Sequence, residues 1–290
     1  MPSLTVLRPG ALATVQDLGR PGLAALGVGP SGAFDRRGHL LANRLVGNPA
    51  DAAGLELLLG GAALRAESPL WMAVTGAWGP VTADGWPVEP HTAVLVPAGA
   101  VLEFGAPESG LRYSLAVRGG IDVPPVLGSR SWDTLARLGP SPLTGGQQLP
   151  VGGPPHTDVP AVDLVPVGPP PSGTLRLEIL PGPRRDWFED AAWGLLTAAE
   201  WRVSARSDRT GVRLEGPELR RSRHEELPSE GMVAGAVQVS PDGIPTVLGV
   251  DAPVTGGYPV IAVLALGELD RLAQARPGQR VVLARAFRRG

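Results

Sequence analysis

Cysteine and lysine are both missing from the 290 residues. Without a thiol there are no disulfides, thiolate metal sites or cysteine nucleophiles. All 26 basic residues are Arg, which excludes Schiff-base catalysis, a Walker lysine and any lysine-attached group such as biotin. Arginine does not replace lysine here, because its guanidinium stays protonated. Chemistry is therefore left to Asp, Glu, His, Ser, Thr, Tyr, Arg and backbone groups. Tyrosine is scarce, with two copies. No apolar run reaches the roughly 18 residues of a membrane helix. The first residues lack a basic stretch followed by a long apolar one, so no signal peptide is expected and the default location is the cytoplasm. A net charge of −2 gives no electrostatic case for nucleic acid or an acidic membrane surface. The four His residues show no HExxH or HxH spacing, so no metal site is expected. GxSxG and GxxxxGK[ST] are also absent.

What is abundant is punctuation. Gly (40) and Pro (32) lie between short runs rich in Val and Leu, such as "LWMAVTG", "LRYSLAVRGGI", "LRLEIL", "PTVLGV" and "QRVVLARA". That pattern predicts a mainly β protein with many turns. Three segments read as helices: 31–48, opening at Ser31 as a cap; 183–200, with Trp187, Phe188, Ala191 and Leu195 at helical spacing; and 266–278, ending at Pro277-Gly278. The proline-rich stretch 151–173 reads as a stiff linker. It divides the chain into units expected at 1–150 and 174–290, sizes that fold independently.

Several polar segments interrupt this pattern. In "TVQDLGRPG" (14–22), Asp17 and Arg20 are placed to pair across a glycine turn. In "GPSGAFDRRG" (29–38), Asp35 lies near a helix amino end, which favours a carboxylate or a bound anion. Glu56 sits among leucines in "GLELLLGG", where a buried carboxylate requires a partner. "RGGIDVPPVLGSRS" (118–131) offers loop donors that suit an anion equally well as a turn. Further on, Asp208 and Arg209 occupy a turn, and Ser229 and Glu230 precede the strand carrying Gln238. "DAPVTGGYP" (251–259), longer than a hairpin turn needs, supplies Thr255, Gly256, Gly257 and Tyr258 between two apolar runs. Loops on a rigid β scaffold are where ligand groups collect.

Together, "TVQDLGRPG", "GPSGAFDRRGHLLANRLVGNP", "LELLLGG", "LAVRGGIDVPPVLGSRS", "SDRTGVRLEGP", "SEGMVAGAVQVSPDGIPTVLGVD" and "TGGYPVIAV" resemble the allophanate hydrolase subunit 2 family. The family is also called the biotin-dependent carboxyltransferase family, or the family of the 5-oxoprolinase C subunit. The resemblance runs over nearly the whole chain. It implies two cyclophilin-like β-barrel units with a few short helices. It implies two partners: a B subunit (allophanate hydrolase subunit 1 type), plus a LamB/YcsF-type A subunit. Together these open 5-oxo-L-proline to L-glutamate with ATP hydrolysis. It also implies an ATP site, with Mg, shared with the partner. A second implied activity is carboxyl transfer to urea or a similar amide from biotin carried on another protein. A third is non-catalytic antagonism of a kinase inhibitor. Both enzyme readings require the chain to grip a planar amide or lactam. On that reading Glu230, Asp35 and Tyr258 are the catalytic candidates, with Glu230 first as base. Gln238, Thr255, Gly256, Gly257, Arg209 and Ser31 are the binding candidates.

Overall fold

In the computed structural model, which describes residues 1–161 and 165–286, the chain is mainly β. It folds as two compact units. The first comprises Met1–Arg20, Ser31–Asp133 and Arg137–Pro170; the second comprises Pro21–Pro30, Thr134–Ala136 and Pro171–Gly290.

The first unit is built on two sheets. One is six-stranded, in the spatial order Gln148–Pro150, Ser3–Pro9, Ala62–Ala66, Val101–Phe104, Val81–Ala83, Trp86–Pro87. The other is five-stranded, in the order Leu12–Gln16, Gly54–Leu58, Ser109–Val117, Leu70–Trp78, Ala93–Val96. Inner faces of both sheets share one apolar core, including Leu4, Leu64, Leu102 and Phe104 with Leu57, Met72 and Leu115. Each such side chain contributes about 1.5–3 kcal/mol when fully buried. The strand Ser109–Val117 is buried along its whole length, with the sheet core on one face and helix α1 (Arg36–Leu45) near the other. Its polar residues Ser109, Arg112 and Ser114 are buried along with the apolar ones.

Helix α1 starts later than the sequence suggests. Ser31 is not its cap. Its φ of 51° takes the chain out of any helix, and its Oγ donates to the Trp132 carbonyl at 3.2 Å. Asp35 caps instead, accepting from Gly38 N at 2.8 Å. A Cβ at residue 38 would lie 2.7 Å from the Asp35 carboxylate, so glycine there lets the cap close. The segment 183–200 resolves into a short 3₁₀ turn, Arg185–Trp187, and α2 (Asp190–Ala198). The third helix, α3, is Glu268–Ala273.

The second unit is a closed seven-stranded barrel. Around its wall run Leu175–Pro181, Val260–Leu264, Ala236–Val239, Pro245–Leu248, Gly211–Glu215, Glu200–Val203 and Arg280–Arg285. Closure comes from parallel pairing of Arg280–Arg285 with Leu175–Pro181. Strict alternation (Leu175, Leu177 and Ile179 buried, Arg176 and Glu178 exposed) turns one face of each strand inward. Trp201 is fully buried and its indole N–H finds the Leu196 carbonyl of α2 at 3.0 Å. Outside the barrel wall, Glu230–Gly231 and Thr255–Gly256 form a two-stranded ribbon.

Candidate functional site

Within the first unit, the polar segments noted in the sequence converge. Asp17 and Arg20 do not pair with each other. Asp17 Oδ1 accepts from Gly19 N at 2.8 Å, Ser129 Oγ at 2.6 Å and Ser131 Oγ at 2.5 Å, while Oδ2 accepts from Arg130 N at 2.6 Å. The 129–131 loop is therefore an anion-binding loop whose anion is internal. A carboxylate holding four donors is a scaffold, not a base. Arg20 turns to the Val126 and Ser131 carbonyls. Glu56 is partnered, as burial demands: it accepts from Phe34 N at 2.8 Å and lies 3.3 Å from Arg112 Nε. The Arg112 guanidinium also covers the Phe34 ring. Next to these acids, burial lowers His39 to a pKa of about 4, against the opposing pull of Asp17 and Glu56. His39 shares a contact with Asn43 on α1. Asp35 and Ser31 belong to this unit, Asp35 as helix cap and Ser31 on the Trp132 carbonyl.

In the second unit, the segment 255–260 is a common backbone for most of the other candidates. Glu230 stands opposite Gly256 and Gly231 opposite Thr255. Gln238, half-buried, is paired with Val260 on one side and Thr246 on the other. Val239 N donates to the Pro259 carbonyl at 3.1 Å. Tyr258 projects with 43% of its surface exposed, which leaves its ring reachable by a ligand. A Cβ at residue 256 would press on the Met232 side chain, so a glycine holds the ribbon close there.

Two arginines that the sequence did not single out as candidates meet these residues. Arg184 donates Nε to Glu230 Oε2 at 2.9 Å and Nη2 to Oε1, a two-point grip on the leading base candidate. Arg184 N also donates to the Val260 carbonyl at 3.0 Å. Arg221 donates to the Val239 carbonyl and lies 5.8 Å from the centre of the Tyr258 ring. Both residues lie in charge-rich loops, "PGPRRDW" and "LRRSRHE". Such loops read as solvated surface, and only pairing with distant strands reveals their place. Arg209 takes a different position. It forms a fully buried two-point pair with Asp251, Nε to Oδ2 at 2.8 Å and Nη2 to Oδ1 at 3.0 Å. Asp251 also accepts from Thr134 N at 3.0 Å. Arg209 thus anchors the start of "DAPVTGGYP" to the barrel. Among the described residues, no three His, Asp or Glu side chains gather in a group that could hold a metal ion.

On and beside this ribbon stand Glu230, Gln238, Thr255, Tyr258 and Arg184, residue types that supply the donors and acceptors an amide uses. Residues 26–285 match the family model of the carboxyltransferase domain, subdomain A and B. This chain belongs to that carboxyltransferase-domain family. Within the family it is 38% identical to the 5-oxoprolinase C subunit of Escherichia coli K12, over 95% of this chain and 89% of that protein. It is 31% identical to urea amidolyase of Saccharomyces cerevisiae, over 96% of this chain but 16% of that protein. Among solved structures, the crystal structure of TTHA0988 superposes with a TM-score of 0.89 at 38% identity, covering 98% of this chain and 55% of that one. The chain therefore spans about half the length of that solved relative. The Kluyveromyces lactis urea carboxylase structure superposes with a TM-score of 0.90 at 30% identity, covering 98% of this chain and 27% of that one.

Proposed function

We propose that this chain is the C subunit of an ATP-dependent 5-oxoprolinase. It acts with two partners, a B subunit plus a LamB/YcsF-type A subunit, to convert 5-oxo-L-proline to L-glutamate. The observation that carries this reading is the extent of the match. The E. coli relative, named as the 5-oxoprolinase C subunit, is covered over 89% of its length, whereas the urea amidolyase is covered over 16%. The chain corresponds to nearly all of the first and to one region of the second. TTHA0988, which carries this module plus nearly as much sequence again, supports a module that works joined to another.

In this proposal the ribbon holds the lactam. Gly256 and Gly257 let the backbone approach it, and Thr255, Tyr258 and Gln238 orient its carbonyl and N–H. Glu230, though gripped by Arg184, keeps a second lone pair on each oxygen to accept the lactam N–H. ATP would supply the phosphoryl group that activates the lactam carbonyl. No step is routed through ATP on this chain alone. The ATP site, with its magnesium, is shared with the partner subunit in this reading.

The test is to purify the chain with B- and A-type subunits and supply 5-oxoproline with ATP. Glutamate release that needs all three supports the reading. The second reading, carboxyl transfer to an amide such as urea from biotin on another protein, is favoured by the family model and by the urea carboxylase superposition. Turnover only with carboxybiotin and urea would select it.

A further inference from the structure

One face of the two-stranded ribbon changes character along its length. Glu230 stands opposite Gly256 and Gly231 opposite Thr255. Met232 N donates to the Val254 carbonyl at 2.9 Å, which carries the ladder one residue further. Side chains alternate along a strand, and directly opposed residues share a face. Glu230, Met232, Val254 and Gly256 therefore share one face. The packing agrees, because a Cβ on residue 256 would lie 3.1 Å from Met232 Cε. Beside Glu230 this face is bare, since Gly256 has no side chain. Beyond it, Met232 and Val254, both half-buried, help to line a cavity of about 310 Å³. Leu23, Val28, Val250 and Ala252 also line it, and every residue around it is apolar or glycine. All of them belong to the second unit. The carboxylate and the apolar cavity thus adjoin, with a residue that has no side chain between them.

We propose that Met232 and Val254 form the subsite that receives the ring methylenes of a lactam, which makes Met232 a specificity-determining residue. The inference rests on the 5-oxoprolinase reading for its choice of ligand. A lactam has a polar edge, its N–H and carbonyl, and an apolar edge of methylenes. With the N–H on Glu230, the ring lies over Gly256 and the methylenes enter the cavity. The unbranched thioether of Met232 adapts to the shape of the ring. Urea offers the amide edge without a methylene and leaves the cavity unfilled. Each methylene moved from water to an apolar wall raises affinity about threefold to fourfold. A pair favours the lactam over urea by about tenfold.

The chain has three methionines, so isotope labelling of their methyl groups gives one NMR resonance each. Met1 is exposed and Met72 is buried in the core of the first unit, and both serve as internal references. Titration of the full chain, alone and with its partner subunits, is expected to move the Met232 methyl resonance saturably with L-5-oxoproline. Ring methylene protons should show a nuclear Overhauser effect to that methyl, and urea should not move it. Val254→Thr, which keeps the reporter and makes the wall polar, should weaken the response at least threefold. In the reconstituted complex, Met232→Gln should raise KM for 5-oxoproline about tenfold, and Met232→Leu should stay near the parent. Thermal unfolding verifies that the variants fold, and Val254→Thr carries the test if Met232→Gln does not. An equal response to urea, no contact between ring and methyl, an unchanged response in folded Val254→Thr, or no saturable shift in the parent chain would overturn the inference. The outcome is separable from the parent reading. Glutamate release with an unchanged KM in Met232→Gln sinks only the subsite. A saturable, Val254-dependent shift without turnover sinks only the 5-oxoprolinase assignment.

Discussion

Arg184 and Glu230 meet edge to edge, with two guanidinium nitrogens on two carboxylate oxygens. Both side chains are partly exposed, at 37% and 26%. An ion pair so placed contributes at most about 1 kcal/mol to stability. Its value lies in fixing the direction of the carboxylate. Glu230→Gln is therefore expected to abolish most turnover in the reconstituted complex while unfolding within about 1 kcal/mol of the parent. Arg184→Ala should lower kcat in the same assay, because the carboxylate then loses its orientation. Full glutamate release by both variants would remove Glu230 from the reaction.

Tyr258→Phe keeps the ring and removes the hydroxyl. With 43% of its surface exposed, the residue adds little to packing, so stability should change by less than about 0.5 kcal/mol. Turnover should fall, measured as kcat/KM for 5-oxoproline. Unchanged kcat/KM would show that the hydroxyl is not needed.

The buried Arg209–Asp251 pair predicts the opposite balance. Removing one partner strands a charge in the barrel and should cost about 3–5 kcal/mol. Arg209→Met and Asp251→Leu made together should cost clearly less than the sum of the single changes. Chemical denaturation of the three variants measures this. Additive single costs would show that the pair is not coupled.

His39 supplies a pH dependence. Its folded pKa of about 4 lies below the unfolded value of about 6.5, so between these values the unfolded chain binds more protons. Stability is fully present above the unfolded value and is lost as pH falls toward 4, by up to about 3 kcal/mol. Urea midpoints measured from pH 4 to pH 7 should rise with pH, and His39→Gln should flatten that slope. A slope identical in the variant would assign the effect to other groups.

The strands are legible in the sequence because they are short, apolar and closed by Gly or Pro. The exceptions are instructive. Glu230–Gly231 and Thr255–Gly256 are two residues long each, too short for any periodicity, yet they answer why "DAPVTGGYP" exceeds a turn: part of it is a strand. The start of α1 is ambiguous in sequence because Ser31 and Asp35 are both good caps, and only the positive φ at Ser31 decides between them. The family motifs mark the segments that hold Asp17, Glu230 and Tyr258. They do not show that Asp17 is saturated by a loop more than a hundred residues away, or that Arg184 and Arg221 flank the ribbon. Those facts are set by long-range pairing, which a local pattern does not encode.

The seam of the barrel has a consequence for biosynthesis. Arg280–Arg285, the last of the seven staves to be translated, fits between Leu175–Pro181 and Glu200–Val203. Until it emerges, both of those strands keep a bare edge, so the second unit completes its wall only at the end of its own synthesis. A ribosome stall or a protease cut upstream of Arg280 would leave an open sheet with two adhesive rims.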